Sequence, residues 1–145
     1  MSSKQIFFED VKEGMELPGF IFGPISVEHL VRWACARGNY VPIHYDRDLA
    51  RGQGLPDVLV HGPFKFALLD RMVRDWIGED GWLKKIACSY RGYDLPGNIL
   101  TCKGKVVSKT FEEGEGSVHC EIWVQNQREE VTVKGTAIAI LPLKG

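Results

Sequence analysis

The sequence lacks several things that would assign it to a class at once. Its four cysteines, Cys35, Cys88, Cys102 and Cys120, form no C-x-x-C pair, and no Cys/His cluster has zinc-site spacing. They read as small buried hydrophobes of a protein kept in a reducing cytosol, and no metal or cofactor is expected. No apolar run is long enough to span a bilayer. Met1 to Gln5 carries no apolar stretch of the signal-peptide kind, so a cytoplasmic protein is expected. An excess of either charge is also missing. Lys and Arg number 18 against 19 Asp and Glu, a net charge of −1, which gives no support to nucleic-acid or membrane-surface binding. There is no internal repeat, low-complexity tract or linker.

What is present suits one globular domain over residues 1–145. Hydrophobic residues make up 44% of the 145, enough for one real core without staples. After a lead-in loop at 7–14, Met15 to Phe22 reads as a first strand interrupted by Pro18-Gly19. Ser26 is a good N-cap for a short amphipathic helix that ends before Gly38. Asn39 to Pro56 reads as loop or broken helix, with one helical turn over Asp46 to Ala50.

His61-Gly62-Pro63 then opens the most convincing helix, which stops at Gly78. Leu68, Leu69, Met72, Val73, Trp76 and Ile77 share one broad face, so this helix should be mostly buried. Lys65 falls on the apolar side, where its stem would snorkel or find a carboxylate. Beyond Gly78 the period changes to that of strands: Leu83–Tyr93, Ile99–Thr110, a third around Val118 to Val124, and Val131–Leu141. Turns fall at Asp94–Asn98, Glu112–Gly116 and Gln127–Glu130. One long helix packed on an antiparallel sheet is an α+β domain.

Two histidines stand out for chemistry. His44 lies in an irregular segment, and His61 precedes Gly62 where the buried helix begins. Such a terminus offers unpaired N–H groups and a partial positive charge, which can hold a carbonyl oxygen as negative charge develops on it. An imidazole nearby could move a proton or hold a water. For each there is also a plain structural reading: His44 as a loop residue tied to backbone, His61 closing a turn, Gly62 allowing close approach of helix and sheet.

These segments resemble the MaoC-like hydratases and dehydratases, the (R)-specific enoyl-CoA hydratases of the hot dog fold. Pro42, Ile43, His44, Asp46 and Ala50 match the first motif, and His61 with Gly62 the second, at the family's separation. Tyr90-Arg91-Gly92 and Pro96-Gly97-Asn98 look like its third-strand and turn pattern. The resemblance implies a single hot dog domain, a long central helix wrapped by a curved antiparallel sheet. It implies pairing of two such chains, as a homodimer or a heterodimer, with an acyl-CoA or acyl-carrier-protein thioester in a tunnel at their interface. It further implies His44 as the catalytic imidazole and the Gly62 N–H as the donor to the thioester oxygen. No cofactor is implied.

The sequence departs from that pattern at two places. The family's catalytic Asp, five residues before the loop His, is Asn39 here, and Val41 stands where an Asn is usual. Asn39 can orient a water but cannot exchange a proton near neutral pH. Losing a general acid/base costs about 10²–10⁴-fold in rate. Three functions are therefore expected in descending order. The first is a hydro-lyase acting on the α,β double bond of an acyl thioester. The second is a catalytically reduced subunit of a heteromeric hydratase. The third is a hot dog thioesterase using Asp70 on the central helix. His61, Asp70, Tyr90 and Arg91 are candidate substrate-lining residues, each with a structural alternative: a turn closure, a helix-edge residue, or a solvated sheet edge.

Overall fold

A computed structural model describes residues 4–145. The chain forms β1 (Phe20–Phe22), α1 (Val27–Arg37), a 3-10 turn (Pro42–His44), α2 (Arg47–Gly52), α3 (Gly62–Ile77), β2 (Trp82–Tyr90), β3 (Leu100–Glu112), β4 (Glu115–Gln125) and β5 (Val131–Leu141). The five strands make one antiparallel sheet in the order β1-β3-β4-β5-β2. β3, β4 and β5 are joined by short hairpins, whereas β2 crosses to the far edge and pairs with β5.

The sheet curves around α3, which packs against β2, β3, β4 and β5. Leu68, Leu69, Met72, Val73, Trp76 and Ile77 are all buried, as their spacing predicts. They meet alternate residues of the strands, among them Cys102, Val106, Cys120, Ile122, Ala137 and Ala139. Each large side chain buried this way contributes about 1.5–3 kcal/mol, so this face dominates the core. This is the hot dog arrangement, a long central helix wrapped by a curved sheet.

The departures from expectation have local causes. The first strand is only Phe20–Phe22, because Pro18-Gly19 interrupts the ladder. Before it a single bridge, Glu16 opposite Lys105, continues the pairing with β3, with the Leu17 N–H donating to the Gly104 carbonyl at 2.9 Å. Gly19 lies so close to β3 that a Cβ there would stand 2.2 Å from the Cys102 carbonyl oxygen. The helical turn expected over Asp46 to Ala50 forms and runs on to Gly52 as α2, with Asp46 Oδ1 accepting from the Leu49 N–H at 3.0 Å as its cap. His29, with no evident role in the sequence, completes the cap of α1, where its Nδ1 accepts from the Ser26 N–H at 2.9 Å. β2 ends at Tyr90 rather than Tyr93, since the chain turns inward to bury Asp94. Of the cysteines, Cys102 and Cys120 are buried and Cys88 half-buried, but Cys35 is exposed, on the face of α1 opposite Leu30 and Ala34.

Candidate active site

Pro42 fixes the start of a 3-10 turn, and that turn carries His44 toward the segment leading into α3. There the Leu59 N–H donates to the Ile43 carbonyl at 3.1 Å. In return His44 Nδ1 lies 2.7 Å from the Leu59 carbonyl oxygen. A carbonyl can only accept, so Nδ1 carries a proton, and in the neutral ring Nε2 is the nitrogen with the lone pair. His44 is half-buried, and its ring is flat against that of His61, with centroids 3.8 Å apart and planes 20° apart. The histidine of the loop and the residue before Gly62 are thus in contact.

His61 is fully buried. Neither ring nitrogen has a hydrogen-bond partner among the described residues. The missing solvent pulls its pKa down from 6.5 to about 4, and a charge on His44 across the stack adds to the effect. The Asn39 backbone acts weakly in the opposite sense, approaching the ring without reaching hydrogen-bond geometry. His61 is therefore a neutral, flat support for His44 at neutral pH. Gly62 is the first residue of α3, so its N–H has no helical carbonyl to reach. Pro63 follows it and has no N–H at all. The ring of Tyr90 lies over Gly62, and a Cβ there would stand 3.0 Å from it.

The remaining candidates are spread more widely. Asn39 is half-buried and its Oδ1 accepts from the Val41 N–H at 3.3 Å, a local turn contact. No carboxylate is hydrogen-bonded to His44 among the described residues. Asp46 caps α2, and Asp57 pairs with Arg47 at 2.8 Å. Asp70 is paired with Arg74 at 2.9 Å, two turns along α3 and about 12 Å from Gly62 at helical rise. Arg91 is exposed, directs its Nε to Ser89 Oγ at 3.0 Å, and lines a cavity of about 560 Å³ with Pro56, Tyr93 and Thr132. His44 and Gly62 are not among the residues lining that cavity. No group of three or more His, Cys, Asp or Glu suited to a metal occurs among the described residues.

Beneath the helix start, Lys65 takes the second of its two expected courses and finds a carboxylate, whose identity residue order does not reveal. Lys65 does not snorkel: its side chain is 2% exposed, and its Nζ lies 3.0 Å from Oδ2 of Asp94, whose side chain is 0% exposed. The Gly92 carbonyl at 3.2 Å accepts a second Lys65 proton. Asp94 also accepts from Thr132 Oγ1 and, at 2.9 Å, from Asn98 Nδ2. A lysine on the apolar stripe was the available signal, but Asp94 sits among turn-forming residues that hide its partner role.

Residues 18–133 match the family described as a MaoC like domain. The chain belongs to the MaoC-like dehydratase family. Comparison with curated protein sequences gives no match. Among solved structures it is similar to the R-hydratase PhaJ1 from Pseudomonas aeruginosa, with a TM-score of 0.84 at 19% identity over 97% of this chain and 88% of that one. It is also similar to the (R)-hydratase from A. caviae involved in PHA biosynthesis, with a TM-score of 0.81 at 16% identity over 92% and 99% of the two chains. A third similar structure is the ChsH1-ChsH2 complex from Mycobacterium tuberculosis, with a TM-score of 0.77 at 23% identity over 90% and 98%. These identities speak for the fold; the family match speaks for hydratase/dehydratase chemistry as a class. No helix among the described residues is long and apolar enough to cross a membrane.

Proposed function

We propose that this MaoC-like chain is a hydro-lyase that adds water to, or removes it from, the α,β double bond of an acyl thioester. The observation that carries the reading is the His44–His61 stack, which joins the loop imidazole to the residue preceding the Gly62 amide. In the hydration direction, His44 Nε2 accepts a proton from water as the oxygen bonds to the β-carbon. The electron pair moves onto the thioester oxygen, where the Gly62 N–H stabilises the enolate. The proton held at His44 Nε2 then adds at the α-carbon as the enolate collapses to the thioester, which returns the imidazole to its neutral form. Asn39 contributes a hydrogen bond to the water in place of a carboxylate, so turnover is slow.

The edge strand β2 leaves one side unpaired, with Trp82 and Tyr90 half exposed along it. That edge supports pairing with a second hot dog chain, identical or different. A second reading, a catalytically reduced subunit whose partner supplies the carboxylate, is favoured by one observation: no carboxylate is hydrogen-bonded to His44 among the described residues, and Asp46, Asp57 and Asp70 are each committed elsewhere. The test is hydration of crotonyl-CoA and longer enoyl-CoAs by the wild type and His44→Ala. Turnover lost in the variant supports the hydro-lyase. Turnover only after addition of a second hot dog subunit bearing an intact Asp and His supports the heteromer. Release of free thiol from saturated acyl-CoA, sensitive to Asp70→Asn, would replace both with a thioesterase.

A further inference from the structure

The buried pair Lys65–Asp94 has a placement that a purely structural ion pair would not need. Asp94 holds the chain on both sides of Gly62. Its backbone carbonyl accepts from the Val60 N–H at 2.9 Å, two residues before Gly62. Its carboxylate accepts from Lys65 at 3.0 Å, three residues after. The four residues between these anchors contain His61, Gly62 and the N–H groups at the helix start. The same short segment is tied on its other flank to the loop of His44, through Leu59 and Ile43.

We propose that Lys65 and Asp94 are positioning residues for the Gly62 N–H, fixing where it meets a thioester carbonyl. This rests on Gly62 being the carbonyl's donor. A lysine in the first turn of a helix is unfavourable for the helix dipole, and burying both charges is costly. Apolar residues of the same volume would fill the space with less desolvation, so stability alone does not account for the pair. What an ion pair adds is a fixed register: Asp94 has three side-chain donors around it, from Lys65, Thr132 and Asn98, and cannot slide. The distance of an oxyanion donor from its oxygen is the quantity such a restraint controls.

The experiment compares two unreactive ligands on the full chain: butyryl-CoA and its thioether analogue S-butyl-CoA, which lacks the carbonyl. A donor in place makes the wild type bind the thioester about three- to tenfold more tightly. In Lys65→Met/Asp94→Asn, which removes both charges at near-constant volume, that ratio is expected to fall to about one while thioether affinity holds within about twofold. An unchanged ratio, or equal weakening of both ligands, overturns the positioning role and leaves Gly62 as donor. A wild-type ratio of one removes the Gly62 donor itself, and the proposal with it. Thr132→Val, which keeps the ion pair but takes one donor from Asp94, serves if the double variant does not fold. It should lower the ratio about twofold, and no change there overturns the proposal.

Discussion

His61 makes the stability of this protein depend on pH in a way that one substitution should erase. In the folded chain its pKa is about 4, against 6.5 for an ordinary histidine, because the ring is buried and its nitrogens have no partner among the described residues. Between those two values the unfolded chain binds a proton that the folded chain refuses. Stability therefore rises with pH across that window: the contribution is complete above pH 6.5 and is lost as pH falls toward 4. Each pKa unit is worth 1.36 kcal/mol, so the whole shift amounts to about 3 kcal/mol. Going from pH 7 to pH 5 should cost about 2 kcal/mol through His61 alone. His61→Phe keeps a flat ring against His44 and removes the titration. Any packing cost of the larger ring is the same at both pH values and cancels in the difference. Urea unfolding at pH 7 and pH 5 measures it: the wild type should lose about 2 kcal/mol more than His61→Phe on acidification, with similar m-values. Equal losses would mean that His61 titrates normally, and that the ring beneath His44 is not dry.

Three further outcomes follow from the geometry. Asn39→Asp keeps one oxygen on the Val41 N–H and puts the second where the amide nitrogen now stands; hydration of crotonyl-CoA should rise about 10²-fold, the lower end of what a general acid/base supplies, and an unchanged rate would place the missing carboxylate on another chain. Gly62→Ala drives a Cβ to 3.0 Å from the Tyr90 ring; since that ring is half exposed and can swing away, folding should suffer by less than about 1 kcal/mol. Hydration kcat/KM should fall about tenfold as the space beside the donor closes, a split readable by thermal melts and kinetics together. Lys65→Met strands the Asp94 carboxylate in the interior and should cost about 3–5 kcal/mol in urea unfolding, most of it recovered in Lys65→Met/Asp94→Asn.

Much of this was legible from residue order because it depends on near neighbours. The face of α3, its start at Gly62 and its end before Gly78, and the alternation of β3 to β5 are set by periodicity and by Gly and Pro, which act within a turn or two. The Pro42-Ile43-His44 and His61-Gly62 motifs carried the family in the same way. Boundaries failed where distant chain intervened. β1 is short because Gly19 is pressed onto Cys102, and β2 ends early because Asp94 is drawn beneath α3.

The sequence alone settled that a long apolar helix lies on long antiparallel strands, that a histidine precedes the helix start, and that no carboxylate stands at position 39. Only the tertiary structure decided what those residues meet. The stacking of His44 on His61, the Tyr90 ring over Gly62, and the Lys65–Asp94 pair each join residues separated by 17 to 29 positions. Side-chain chemistry at one position does not encode its partner at another. Folding α3 into the curved sheet supplies the partners, and removes the water that would otherwise make an imidazole or an ion pair unremarkable.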